Sequence, residues 1–401
     1  VADFKSFPIT HNTWCISTDF VAPNDSLLDF DGTSHQREFH DPTKVENLVL
    51  PLGLYEVQSY YDHSEWLQKT ITLCQQHFVN LKNIYIFRET AFFSKDKLHT
   101  TCELRVIDIP YYLLRSTATP LNFKAWSPKN NKAIFIIGDT RNRPHRFQTL
   151  YEFYANNSLD LLEHSLNPLY DKNADFSWLI DWLNSTYGLT LNKDTFDKLY
   201  RRLQRIIPGD DFRNLITKTT TATLLVFPPY WNDAPLILMT ESNFSHPVFP
   251  ELRFNEAFPF TEKIWKPILS GRPFVTSSDQ DIIYSNLEDM GFKTFLEYTD
   301  HPTKVETKMT AMTNGMHFYA NLTYNRVRSF LQNKEKFQDA IRRDIEHNFS
   351  QWKIITDREW DKLYVSCPPL KELTRDEIGS VFGLCPNVMI YADNLRNKKV
   401  D

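Results

Sequence analysis

Glycine is scarce in this chain: ten residues in 401, about a third of the usual ~7% share. With so little glycine, neither GxGxxG nor GxxxxGK[ST] occurs, so the dinucleotide and P-loop fingerprints are missing. GxSxG is absent too, which removes the nucleophile elbow of serine hydrolases. The histidines His35, His40, His145 and His246 have no HxH or HExxH spacing. The five cysteines (Cys15, Cys74, Cys102, Cys367, Cys385) form no CxxC or Cys/His cluster, so neither a zinc site nor a disulfide framework is indicated. No apolar run approaches the ~18 residues a membrane span needs. The opening VADFKSFPITHN lacks the basic-then-apolar order of a signal peptide. These absences predict a soluble, cytoplasmic protein with reduced thiols and no metal. Charge favours neither extreme: 45 Lys and Arg face 50 Asp and Glu, a formal net of −5. Nothing global therefore favours a nucleic-acid partner, although a local basic cleft would reverse that.

What is present is a folded, aromatic-rich chain, 41% hydrophobic, 24% charged and 14% aromatic. Its length suits two domains. Residues 1–127 read as mixed α/β. Apolar runs at 45–50 and 84–87 flank a helical pattern over 64–79, and a further strand at 104–109 ends at a Pro110-Tyr111-Tyr112 break. The polar SPKNNK at 127–132 reads as a boundary. Beyond it, AIFIIG (133–138), TATLLVF (221–227), LILMT (236–240) and 273–277 read as strands. Helices are expected from Phe147 to about 156, over 170–188, over 194–207 and over 281–290, the last capped by Gly291. Strands alternating with helices argue a parallel α/β domain over 128–345, followed by a helical extension over 346–401.

Two stretches carry chemistry. Arg141, Arg143, His145 and Arg146 follow the AIFIIG strand directly. Ligands of open α/β sheets bind beyond the carboxyl ends of strands, and clustered arginines there suit a diphosphate. The second stretch is FPFTEKIWKPILSGRPF, residues 258–274. Thr261 is the expected N-cap and Glu262 sits in the first turn, where the helix dipole favours a carboxylate. Lys263 opposes that dipole, and a bound anion at the helix start would explain it. Glu241, closing the LILMT strand, is placed to reach a ribose or sugar hydroxyl. Taken singly, each of these is also what a solvated surface loop looks like. A third stretch, Asp29-Phe30-Asp31-Gly32-Thr33, resembles the DxDGT nucleophile motif of haloacid-dehalogenase-type phosphatases, with Gly209-Asp210-Asp211 as downstream magnesium acids. Only Leu27-Leu28 precede it where that motif follows a long strand.

The arginine segment AIFIIGDTRNRPHRFQTLYEFYANNSLD and the string LILMTESNFSHPVFPELRFNEAFPFTEKIWKPILSGRPFV together resemble glycosyltransferases of the GT-B architecture. The likeness is to fucosyltransferase-like and exostosin-like enzymes and their relatives in phage and viral genomes. The resemblance implies two Rossmann-like domains facing a cleft, an acceptor domain followed by a donor domain, with C-terminal helices. It implies sugar transfer from a nucleotide-sugar to a hydroxyl, without a metal or resident cofactor. Glu262 would then contact the ribose, Lys263 and Arg146 (Arg143 as second choice) the diphosphate, and Glu241 the sugar or nucleotide. An inverting enzyme needs a carboxylate base, for which Asp29, Asp31 and Glu89 are the candidates. The resemblance implies as acceptor a glycan or, given the phage relatives, a hydroxymethylated base in phage DNA within the host cytoplasm. Two other readings stand beside this one: a magnesium-dependent phosphatase using Asp29 and Asp31, and a non-catalytic glycan-binding protein.

Overall fold

The computed structural model describes residues 5–17, 41–52, 64–88, 94–117, 123–138, 144–166, 176–203, 229–240, 262–277, 280–300 and 312–381. Contacts divide the chain into two compact units. One comprises Val1–Thr119, Leu252–Phe258 and Ile355–Asp401; the other comprises Pro120–Glu251 and Pro259–Ile354. Each is α/β and is built on a largely or wholly parallel sheet. Among the described residues no helix is long and apolar enough to cross a membrane.

The first unit orders five strands as β1-β2-β3-β4-β5: Lys5–Thr10, Thr13–Ser17, Asn47–Leu52, Asn83–Arg88 and Glu103–Asp108. β1 and β2 form an antiparallel hairpin and the remaining pairs are parallel. The hairpin was not legible in the sequence. Its edge strand carries Pro8 at a register irregularity, a place where a missing N–H breaks no central ladder. Helix α1 (Ser64–His77) forms because Leu67, Thr70, Ile71 and Cys74 recur at helical spacing and are all buried. Its apolar stripe packs with Trp14, Ile16, Leu48, Leu50, Ile84 and Ile86, which alternate along the strands. Fully burying each such aliphatic side chain contributes about 1.5–3 kcal/mol. At the amino ends of the strands the Asn83 amide donates to Asn47 Oδ1 at 2.9 Å, and the Asn47 amide reaches Asn12 O at 3.4 Å. β5 ends at Asp108, before Pro110, as the sequence indicates. Pro110 precedes α2 (Tyr111–Ser116), with Leu114 N–H donating to Pro110 O at 3.0 Å.

The second unit carries β6 (Ala133–Gly138), α3 (Pro144–Ala155), β7 (Leu162–Leu166), α4 (Ser177–Tyr187), α5 (Lys193–Leu203), β8 (Ile237–Met239), α6 (Glu262–Ser270), β9 (Phe274–Thr276), α7 (Gln280–Asp289) and α8 (Met312–Asn333). The long α9 (Gln338–Ser366) belongs to this unit up to Ile354, and its remainder and α10 (Arg375–Val381) belong to the first. The four strands are all parallel, in the order β7-β6-β8-β9. Helix α3 starts three residues earlier than the apolar pattern indicates, because Pro144 is preorganised for a first helical position. β7, LEHSL, was not foreseen: its run is too short and too polar to announce itself. The strand expected at 221–227 lies outside the described residues.

The turn between α6 and β9 explains the string Gly271-Arg272-Pro273-Phe274. Gly271 has φ +68°, and a paired set of hydrogen bonds closes the helix: Arg272 N–H to Pro267 O at 2.8 Å and Gly271 N–H to Ile268 O at 3.2 Å. Gly291 (φ +84°) ends α7 in the same way. Arg272 is 1% exposed, and its guanidinium is held by backbone oxygens. Nε donates to Trp231 O at 2.9 Å, Nη1 to Lys124 O at 3.0 Å and Gly271 O at 2.6 Å, and Nη2 to Asn232 O at 3.0 Å. Burial lowers its pKa to about 10, with Asp233 opposing, so the side chain stays cationic at neutral pH.

Two outcomes follow from this packing. A Cβ at Gly271 would lie 2.8 Å from Lys124 O and 2.9 Å from the Phe123 ring, at a φ that favours glycine. Gly271→Ala should cost roughly 2–4 kcal/mol, read as a melting temperature lower by about 5–15 °C. The thiols supply the second. Burial pushes the Cys15, Cys74 and Cys367 thiols up, with Cys367 adding to the shift of Cys15, whereas Cys102 is only half-buried. Alkylation of the native protein followed by peptide mapping should mark Cys102 well before those three, because the thiolate is the nucleophile.

Candidate functional site

Parallel strands leave their last backbone and side-chain groups together at one edge. In the second unit the chain runs from β6 outward to β7 and then returns to the other side of β6 at β8. That reversal is a topological switch point, and open α/β sheets bind ligands beyond the carboxyl ends of the strands at such points.

Register and handedness assign the faces. Phe135 pairs with Leu238 and Leu238 with Val275, so these three side chains share one face. Two residues further on, Thr240 and Ser277 follow on that face, roughly 5 Å apart across two strands, beside the register irregularity of β6 between Ile136 and Gly138. Ile237 N–H donates to Pro273 O at 3.0 Å and Ser277 N–H to Met239 O at 2.9 Å, which sets the directions of the backbone groups. Right-handed crossovers then lay α3 over the face of Phe135, Thr240 and Ser277, and α6 over the face of Ile237, Met239 and Phe274. Ring contacts agree with the second placement: Phe274 meets Phe295 at 5.6 Å and Trp265 of α6 meets Phe292 at 5.8 Å. Helix α8 packs on α3 through Tyr324 against Phe153 and through Asn321, whose amide donates to Glu152 Oε1 at 2.9 Å.

The row at the strand ends is polar and enclosed. Arg146, in the first turn of α3, is 4% exposed and its Nη1 donates to Ile137 O at 3.2 Å. Thr240 and Ser277 are 1% and 2% exposed, and among the described residues their hydroxyls have no hydrogen-bond partner. The amide of Gln148, fully buried one turn into α3, is in the same condition. At β9, Thr276 N–H donates to Tyr284 Oη at 2.9 Å, and the fully buried Arg326 of α8 lies 5.4 Å from the Tyr284 ring centroid. Burial raises the Tyr284 pKa, and the Arg326 charge and its hydrogen bond to the phenol act against that rise.

Arg146 and Lys263 stand at the starts of helices that flank this edge on opposite faces. Lys263 is half-buried in the first turn of α6. Glu262 is the first residue of α6. Asp29, Asp31, Glu89, Arg143, Glu241 and Thr261 lie outside the described residues; in sequence Glu89 directly follows β4. Among the described residues no group of three or more His, Cys, Asp or Glu is placed to hold a metal ion. Sequence reasoning missed Thr240, Ser277, Tyr284 and Arg326. The signal available for two of them was positional: Thr240 and Ser277 lie at matching positions near the carboxyl ends of two apolar strands.

The Tyr284 contact is testable by itself. Tyr284→Phe keeps the ring beneath Arg326 but strips the buried Thr276 N–H of its acceptor, so it should destabilise by about 1–3 kcal/mol in thermal or denaturant melts. Wild-type stability in this variant would show that the hydrogen bond does not hold β9 to α7. No family model matches the chain, and no curated protein or solved structure matches it either.

Proposed function

We propose that the protein is a nucleotide-sugar-dependent glycosyltransferase of the GT-B type, with its donor at the carboxyl edge of the second unit's sheet. The observation that carries this reading is the reversal of strand order between β6 and β8, flanked by the cation-bearing starts of α3 and α6. The return of the chain to the first unit at Ile355 also accords with a two-domain enzyme whose C-terminal helices rejoin the first domain.

In this reading Lys263 and Arg146 meet the diphosphate and Glu262 the ribose, with Glu241 near the sugar or nucleotide. Departure of a nucleoside diphosphate develops negative charge, which fixed cations and helix N–H groups stabilise most where water is excluded. The acceptor hydroxyl belongs to a glycan or to a hydroxymethylated base in DNA. One of Asp29, Asp31 and Glu89 would take its proton.

A panel of nucleotide-sugars tests the proposal. The right donor at a hundredfold excess over its Kd should add about 2.7 kcal/mol and raise the melting temperature by roughly 5–10 °C. Lys263→Ala should remove most of that rise, measured against the melting temperature of its own unliganded form. A panel in which no donor stabilises the wild-type protein would sink the proposal.

A further inference from the structure

We infer that Thr240 and Ser277, bracketed by Arg146 at β6 and Arg326 at β9, form an enclosed oxyanion subsite for a phosphoryl group. The inference rests on the donor-edge reading above and names which part of the donor is gripped and by what.

The argument begins from a cost. A hydroxyl taken out of water without a hydrogen-bond partner destabilises a fold, and buried polar groups are nearly always satisfied. Here two such hydroxyls occur side by side, on neighbouring parallel strands, at one level and on one face. Chance placement in a core would favour Val and Ala at those positions, as at Val275 one register step below. The surroundings indicate the sign of the missing partner. Arg146 closes the row on the β6 side, through its hydrogen bond to Ile137 O. Arg326 closes it on the β9 side, through Tyr284, which is bonded to the residue before Ser277. The start of α3, whose first-turn N–H groups have no intrahelical acceptors, opens at the same edge. Two hydroxyl donors between two guanidinium groups and a helix start fit a tetrahedral oxyanion. Phosphoryl oxygens would accept from Thr240 Oγ1 and Ser277 Oγ, leaving the diphosphate within reach of the crevice between β6 and β8.

The same chemistry has two sources, the diphosphate of a nucleotide or free inorganic phosphate, and calorimetry separates them. Inorganic phosphate, inorganic pyrophosphate, a set of nucleoside diphosphates and uncharged nucleosides are titrated into wild-type protein and into Thr240→Val, Ser277→Ala and Thr240→Ser. Pyrophosphate should bind the wild type, and Thr240→Val and Ser277→Ala should each weaken it about tenfold. Thr240→Ser, which keeps the hydroxyl, should retain most of the affinity. The unliganded Thr240→Val and Ser277→Ala proteins should melt at or above the wild-type temperature, since each loses an unsatisfied buried hydroxyl. A nucleoside diphosphate binding at least tenfold tighter than inorganic phosphate and pyrophosphate identifies the nucleotide as the source; inorganic phosphate binding as tightly as either diphosphate identifies free phosphate. Wild-type pyrophosphate affinity in both hydroxyl variants, or unliganded variants that melt several degrees lower, would overturn the subsite. The two readings fail separately. Donor binding untouched by either hydroxyl variant leaves the glycosyltransferase proposal standing without this subsite. Pyrophosphate binding that depends on both hydroxyls, with no nucleotide-sugar bound, leaves the subsite standing without that activity.

Discussion

A single buried guanidinium ties together the lower half of the second unit. Arg272 donates to backbone oxygens of Lys124, Trp231, Asn232 and Gly271, which lie in three stretches far apart in sequence. A planar fork of donors can do this where a lysine ammonium cannot, and the carbonyls of Trp231 and Gly271 would otherwise be buried acceptors in need of a partner. The clamp works only because Gly271 adopts a left-handed conformation and lets Lys124 O come close. Helix end, strand start and two flanking segments are therefore set by two adjacent residues. The Gly-Arg-Pro-Phe string is structural in this sense: it fixes the amino end of β9, opposite the edge where ligand chemistry is proposed.

That arrangement has a consequence for the carboxyl edge. With its amino end pinned, β9 presents Thr276 and Ser277 at a defined height beside Met239 and Thr240 of β8. Parallel strands with helices on both faces leave little freedom there, because a shift of one residue would turn each side chain to the opposite face. Polar side chains at that level are thus held by the sheet itself, while Arg146 bonds to Ile137 O and Arg326 lies over the Tyr284 ring, each from a helix on the same face. Lys263 approaches from the helix on the other face. The two cations singled out in sequence sit on either side of one edge, and neither helix could bring both.

Much of the scaffold was legible beforehand. β3, β4, β6 and β8 show as apolar runs, α1 shows as a 3.6-residue period, and Gly291 shows as a helix stop, because local burial patterns and glycine geometry are written residue by residue. The β1–β2 hairpin and β7 were not legible. Their strands owe their place to neighbours that supply the ladder, and their own side chains carry little of the signal. Lys263 could be picked out because a cation at a helix start contradicts the dipole, and Arg146 because it belongs to an arginine cluster directly after an apolar strand. Thr240, Ser277, Tyr284 and Arg326 could not, since a lone Thr, Ser, Tyr or Arg has many ordinary uses.

The amino-acid sequence by itself determined the class of the protein: alternating strands and helices, few glycines, scattered cysteines and two cation-bearing helix starts. Those properties follow from local periodicity and residue chemistry, which need no knowledge of distant partners. Only the tertiary structure decided that β8 returns beside β6, that Thr240 and Ser277 fall in one row, and that Arg272 serves as a clamp. Each of these depends on strand order and register across residues tens to more than a hundred positions apart, and no window of sequence contains that information.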